Sequence, residues 1–184
     1  MYADDKKIYA AILSDMESNS LADDLRSAEE WASKMQMKFN LGKCEVMHMR
    51  RANTGKQYHM TQEDGNDHIL EAVDSEKDLG VLVDKELKFS LHCQSKVNKA
   101  NSILAMLKHT FKNMNKEIFL MLYKAMTRPH LEYASCVWSQ RLKRDQDAIE
   151  RVQRRATKLA KSISNLSYTE RLQHLELPTL KFRR

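Results

Sequence analysis

The sequence predicts an α+β fold, a small antiparallel sheet with one packed helix followed by an all-helical half. Three observations carry this. Up to about residue 88 apolar residues fall in short runs broken by Gly, Asn and Asp; beyond it they recur at helical spacing. Gly (4) and Pro (2) are scarce among 184 residues, which favours long helices. The charge changes sign at the same place. Residues 1–90 hold 12 Lys and Arg against 18 Asp and Glu, a net −6, whereas residues 91–184 hold 19 against 7, a net +12. The expected domains are therefore residues 1–87 and 88–184. An acidic half joined to a basic one points to nucleic-acid contact by the second; a solvated, helix-rich surface is the alternative reading.

The elements follow in order. Residues 1–13 read as a strand, a tight turn at Asp4-Asp5 and a second strand through Ile8, Tyr9 and Ile12. Residues 19–38 read as an amphipathic helix with Leu21, Leu25, Ala28, Trp31, Ala32 and Met35 on one face, capped by Asn19 or Ser20 and stopped by Asn40-Leu41-Gly42. A short strand is expected at Val46–Met49, a loop over 50–67, and two strands at Ile69–Val73 and Leu79–Val83. Helices are expected over 91–111, 115–127, 145–162 and 168–175, with Pro129 ending or kinking the second. Most methionines, together with Trp31, Trp138, Phe111 and Tyr123, are expected to pack in the core.

Composition excludes several classes. An apolar share of 42% and a charged share of 30% argue against wholesale disorder. No run approaches the roughly 18 apolar residues of a membrane span; the best is Ile8–Leu13. Two acids at the N-terminus oppose a secretory signal. Cys44, Cys93 and Cys136 are far apart and odd in number, with no CxxC pair, so a reducing, intracellular compartment is expected.

Chemistry concentrates at two places. Asp4 and Asp5 are consecutive carboxylates in a turn-like context, and Mg²⁺ takes one or two carboxylates plus phosphate oxygens. An ordinary acidic turn is the alternative. The second place is the helix at 145–162. At about 100° per residue, Ile149, Val152, Ala156, Leu159, Ala160 and Ile163 share one arc. Arg151, Arg154, Arg155, Lys158 and Lys161 share the opposite one, a stripe suited to phosphates.

Five ordered segments carry a family resemblance: Tyr2-Ala3-Asp4-Asp5; Trp31-Ala32 with Met37-Lys38-Phe39-Asn40 and Lys43-Cys44; Lys77-Asp78-Leu79-Gly80-Val81; Leu122-Tyr123-Lys124 with Arg128-Pro129-His130-Leu131-Glu132-Tyr133 and Trp138; and Ile149–Lys158. Together they resemble the downstream half of a non-LTR (LINE, jockey-like) retrotransposon reverse transcriptase. The resemblance implies a partial palm over residues 1–87, then a basic, helical thumb-like domain. It implies Mg²⁺-dependent nucleotidyl transfer onto an RNA-templated DNA primer from deoxynucleoside triphosphates, in a nuclear or cytoplasmic protein with no membrane partner. Asp4 and Asp5 would hold two Mg²⁺ ions with a third aspartate. Tyr2 and Ala3 would lie near the primer end and incoming nucleotide. Lys43 would give a proton or positive charge to pyrophosphate. Leu79-Gly80 would match the primer-grip strands. The third aspartate belongs upstream of the YxDD box in that family, and only Met1 precedes Tyr2 here. The chain therefore reads as a fragment, inactive by itself; a non-catalytic nucleic-acid-binding remnant using the basic half is the alternative.

Overall fold

A computed structural model describes residues 6–50, 53, 55–62, 65–138 and 142–182. It is α+β: helices with short strand pairs. Two compact units divide it. The first takes the described residues up to Glu76 plus Asp84–Leu87; the second takes Lys77–Val83 and the chain from Lys88 on. The hairpin tip at 77–83 thus belongs to the helical unit, a difference from a single break at residue 87.

In the first unit, the described residues 6–13 form no strand. The second strand expected there is absent: Tyr9 is 92% exposed, and no described strand pairs with this segment. The Tyr2–Asp5 turn lies outside the described residues. Helix α1 (Asp15–Lys34) begins four residues earlier than expected. Ser14 caps it by accepting from the Met16 N–H, and Asp15 and Glu17 sit at the positive end of its dipole. Asn19 and Ser20 are therefore internal. The helix ends before Asn40-Leu41-Gly42, because Gln36 turns left-handed (φ 55°); Leu41–Lys43 instead form a separate 3₁₀ turn. Trp31 is 41% exposed beneath the Lys6 ammonium, 3.2 Å from the ring centroid, and Met35 is also exposed. Neither belongs to the core, in contrast to the helical-face expectation.

The strands are β1 (Glu45–Val46), β2 (His59–Thr61), β3 (Asp67–Ile69), β4 (Glu71–Ala72), β5 (Ser75–Asp78) and β6 (Val81–Asp84). They form three separate pairs, not one antiparallel sheet: β1–β4 is parallel, β2–β3 is antiparallel and β5–β6 is a hairpin. Strand β2 and the first residue of β3 fall in the span expected to be loop, and the strand expected at Ile69–Val73 is divided between the end of β3 and β4. Met60 of β2 and the flanking Tyr58 and Leu70 are buried, packed by Leu21, Ala22 and Leu25 of α1 and by Phe39 and Val46. Ser18 and Tyr58 share a buried hydroxyl contact at 3.2 Å, and the Thr61 N–H donates to Glu29 Oε1 at 2.6 Å. These ties seat α1 on β2.

The second unit is built on α2 (Ser90–Thr110), whose Cys93, Val97, Ala100, Leu104 and Leu107 are buried. Next come α3 (Lys116–Leu122), a π-helical turn (Tyr123–Thr127), α4 (Arg128–Glu132) and α5 (Ser135–Trp138). Pro129 does not end the helical run. It sits in the first turn of α4, where a missing N–H costs least, directly after the widened turn. Helices α6 (Lys143–Ala156) and α7 (Tyr168–Leu175) complete the unit around Phe119, Tyr123, Leu131, Trp138, Ile149 and Val152. The helix expected over 145–162 stops at Ala156 and gives way to two 3₁₀ turns, 157–159 and 161–163. Phe111 is exposed, as are Met37, Met49 and Met121, so these are not core filler.

The hairpin tip is held by two side chains of this same unit. Leu79 and Gly80 form its two-residue turn with φ 45° and 81°, the positive-φ pair that a tight hairpin demands. The sequence predicts continuous strand over Leu79–Val83, but its first two residues are turn. The Tyr133 hydroxyl donates to the Leu79 carbonyl at 2.8 Å, and the Leu82 N–H donates to His92 Nδ1 at 3.0 Å. A Cβ on Gly80 would stand 3.3 Å from the Tyr133 ring. We expect Gly80→Ala to cost about 1–2 kcal/mol from the left-handed backbone alone, before any ring shift. Urea unfolding checks this, and an unchanged midpoint would refute the strain.

His92 is buried against Trp138, ring centroids 5.2 Å apart. Burial first, then the Lys96 charge, pushes its pKa down to about 4. The unfolded chain titrates near 6.5 and binds the extra proton between those values. Stability is therefore complete above about pH 6.5 and falls as pH drops toward 4, by an amount on the order of 3 kcal/mol. The difference in unfolding free energy between the native chain and His92→Gln, followed over this range, should shift by that amount. A difference independent of pH would show that His92 carries no such linkage.

Candidate nucleic-acid interface

The residues expected to bind nucleic acid centre on α6, and its rotation is set by buried polar groups. Gln153 is fully buried. Its Oε1 accepts from the Tyr123 hydroxyl at 2.6 Å, and its Nε2 donates to the Pro178 carbonyl at 2.9 Å and the Tyr168 hydroxyl at 3.2 Å. The Tyr168 hydroxyl donates in turn to Glu150 Oε1, while Glu150 Oε2 accepts from the Leu180 N–H at 3.0 Å. Burial holds both tyrosines far above the usual phenol range, so both remain donors. Ile149, Val152 and Ala156 pack beside this network.

The helix end has its own cause. Arg171, 4% exposed, donates from Nε to Thr157 Oγ1 at 3.0 Å and from its other nitrogens to the carbonyls of Leu166 and Arg154. Thr157 Oγ1 also donates to the Arg154 carbonyl at 3.1 Å. A buried cation on the last carbonyls of α6 complements the negative end of its dipole. Sequence reasoning missed Arg171. It also missed Gln153, whose polar side chain on the apolar arc was the available signal.

With α6 so fixed, Arg151, Arg154, Arg155, Lys158 and Lys161 are all exposed. They do not form one stripe. Arg151 and Arg155 lie within about 40° of each other on the wheel, and Arg144, seven residues before Arg151, joins them. Arg154 points to the α7 side, its guanidinium 4.9 Å from the Tyr168 ring centroid. Lys158 and Lys161 sit on the 3₁₀ turns, and Lys161 Nζ donates to Asn113 Oδ1 at 2.8 Å. The early end of the helix causes this split. None of the five is ion-paired to a carboxylate among the described residues.

The remaining expected site residues are dispersed or undescribed. Tyr2, Ala3, Asp4 and Asp5 lie outside the described residues. Lys43 is exposed at the end of the Leu41–Lys43 turn in the first unit. Leu79 and Gly80 form the hairpin turn of the second unit, with Leu79 61% exposed. Among the described residues no group of three or more His, Cys, Asp or Glu gathers as a metal cluster, and no helix is long and apolar enough to cross a membrane.

No protein-family model, curated protein or solved structure matches the chain. The site therefore rests on its own geometry: a polar-locked amphipathic helix that turns Arg151, Arg154 and Arg155 outward.

The lock predicts that Gln153→Leu costs about 2–3 kcal/mol, because a buried hydroxyl and a carbonyl lose their partner together. Hydrogen exchange should speed most over residues 177–182, which Gln153 and Glu150 fasten. Thermal unfolding at the native midpoint would overturn the assignment of Gln153 as the lock.

Proposed function

We propose that the chain is part of an RNA-directed DNA polymerase of the non-LTR retrotransposon kind, with its helical unit gripping the RNA–DNA template–primer. The observation that carries the grip is that Arg151, Arg154 and Arg155 of α6 are exposed and free of carboxylate partners among the described residues, on a helix whose rotation the Gln153 bonds fix. Unpaired surface cations on a fixed helix release counterions when they meet phosphates, so binding is steeply salt-dependent. The polymerase part of the reading is supported by the five ordered segments. Two of those segments meet in this fold, where Tyr133 bonds the Leu79-Gly80 turn. In this reading the first unit is the palm portion and the second the thumb-like portion. Asp4 and Asp5 are the carboxylates for Mg²⁺, which would supply charge neutralisation at the reacting phosphate. Lys43 contributes positive charge toward the leaving pyrophosphate.

A second reading keeps nucleic-acid binding and omits polymerisation. It is favoured by the cationic face being built wholly from residues of the second unit.

The test is a titration of fluorescent RNA–DNA hybrid with the chain across a salt series. Neutralising Arg151, Arg154 and Arg155 to Gln should weaken binding and flatten the slope of log affinity against log salt by about 2 to 3, near 0.9 per lost phosphate contact. A triple variant with native slope would remove α6 from the interface. In a polymerase that carries the family's upstream aspartate motif joined to this chain, Asp4→Asn with Asp5→Asn should reduce primer extension to background. Undiminished extension would refute the metal-ligand reading.

A further inference from the structure

A second wall faces the arginines of α6. Ser90, Gln94, Asn98 and Asn101 run along one edge of α2, each three or four residues from the next. Ser90, Gln94, Arg144 and Arg151 line one groove of about 360 Å³. Farther along, Arg155 donates to Asn101 Oδ1 at 2.8 Å, which ties the two walls together. Gln94 Nε2 donates to Asn98 Oδ1 at 2.8 Å. That bond engages one end of each carboxamide on two exposed side chains, and the other ends are by type an acceptor, Gln94 Oε1, and a donor, Asn98 Nδ2.

The opposite wall is cationic. Arg144, Arg151 and Arg155 follow one line, with axial steps of about 10.5 and 6 Å at 1.5 Å per residue. Those steps are close to three and two nucleotide rises along a stacked strand. Asp145 sits at the near end, where it accepts from Ser90 Oγ at 2.7 Å and lies 3.6 Å from Arg144. Its charge offsets Arg144, and Asn101 engages Arg155, so the attraction for an anion is centred on Arg151.

One wall thus offers arginines spaced along its axis by about two and three nucleotide rises, and the other offers neutral groups that both donate and accept. A deoxyribose backbone needs only the first. The ribose 2′-hydroxyl is itself a donor and an acceptor, and it is the group by which proteins separate RNA from DNA. We propose that the α2–α6 groove is a strand-selective track that seats a ribose–phosphate backbone, with α6 arginines on the phosphates and the Gln94–Asn98 carboxamides on 2′-hydroxyls. This rests on the reading of α6 as a nucleic-acid face and adds which strand that face takes.

The experiment compares short single-stranded oligonucleotides of one sequence with ribose, deoxyribose and 2′-O-methyl backbones, binding to the full chain across a salt series. Heparin serves as a polyanion without bases. The ribose strand should bind about three- to tenfold tighter than the deoxyribose strand, the worth of one net neutral hydrogen bond. The 2′-O-methyl strand, which keeps an acceptor but loses the donor, should fall below the ribose strand. Gln94→Ala with Asn98→Ala, both exposed positions, should bring the ribose-to-deoxyribose ratio to about one without flattening the salt slope. Arg151→Gln with Arg155→Gln should flatten the slope for both strands. Equal affinity for the two strands, with a steep salt slope, would overturn the track while leaving α6 as a nucleic-acid face. Heparin binding as tightly as RNA would overturn it in favour of general polyanion attraction. No salt-sensitive binding to any single strand would overturn the track, and the same result with the RNA–DNA hybrid would overturn the reading of α6 as a nucleic-acid face as well.

Discussion

The carboxamide of Gln153 is the constraint on which the helical unit depends. A buried amide has a donor end and an acceptor end, and each must meet its complement. Tyr123 supplies the donor on one side; Tyr168 and the Pro178 carbonyl supply the acceptors on the other. Turning α6 by one residue, about 100°, would place an arginine or an apolar side chain in that slot and leave several polar groups unsatisfied. The hydrophobic residues alone would tolerate some rotation, since Ile149, Val152 and Ala156 offer a broad apolar arc. The amide removes that latitude. Because Gln153 lies opposite Arg144, Arg151 and Arg155 on the wheel, the same bonds that close the core aim the cations outward.

The hairpin tip obeys a parallel logic. A two-residue turn with Leu79 at positive φ is not a conformation leucine favours, and such residues persist only where their surroundings hold them. Here Tyr133 bonds the turn carbonyl and His92 accepts the Leu82 N–H. His92 comes from α2 and Tyr133 from the turn that follows α4, so the tip packs with the helical unit although it lies among strands in the sequence. Gly80 then matters twice, for its φ and for the space it leaves to the Tyr133 ring.

What the sequence discloses depends on element length. A helix of many turns repeats its apolar pattern often enough to be read: Ser90–Thr110 falls where the spacing places it, and the shorter Tyr168–Leu175 does so with a capping box at its start. Strands of two to four residues contain at most two periods, so β2 and β3 are indistinguishable from the loop that surrounds them. Ends are the other weak point. The start of α1 depends on Ser14 outcompeting Asn19 and Ser20 as a cap, and the end of α6 on Arg171, a residue distant in sequence that no local pattern announces. Pro129 misleads for a similar reason, since the π-turn before it changes which position proline occupies. At the candidate site, the exposure of Arg151, Arg154 and Arg155 was legible from the wheel. What each side meets was not, because the Tyr168 ring beside Arg154 and the Asn101 carboxamide beside Arg155 come from other helices.

That division bears on how a basic domain should be read. The net charge of residues 91–184 suggests a uniformly attractive surface, yet many of its cations have structural duties. Arg171 is buried on helix carbonyls, Arg128 is paired with Glu132 at 3.0 Å, Arg154 lies over an aromatic ring and Lys161 is tied to a loop amide. Removing such a cation disturbs packing as well as charge, so loss of binding on mutation would not by itself locate a phosphate. Arg151 is different: it is exposed and lines the groove between α2 and α6. A phosphate strand feels the total charge at long range, where salt screens it within about 10 Å. At contact it feels only the cations that are aligned and unengaged. Long-range attraction therefore belongs to the whole basic half, and strand placement to the few side chains that the Gln153 lock leaves pointing into one groove.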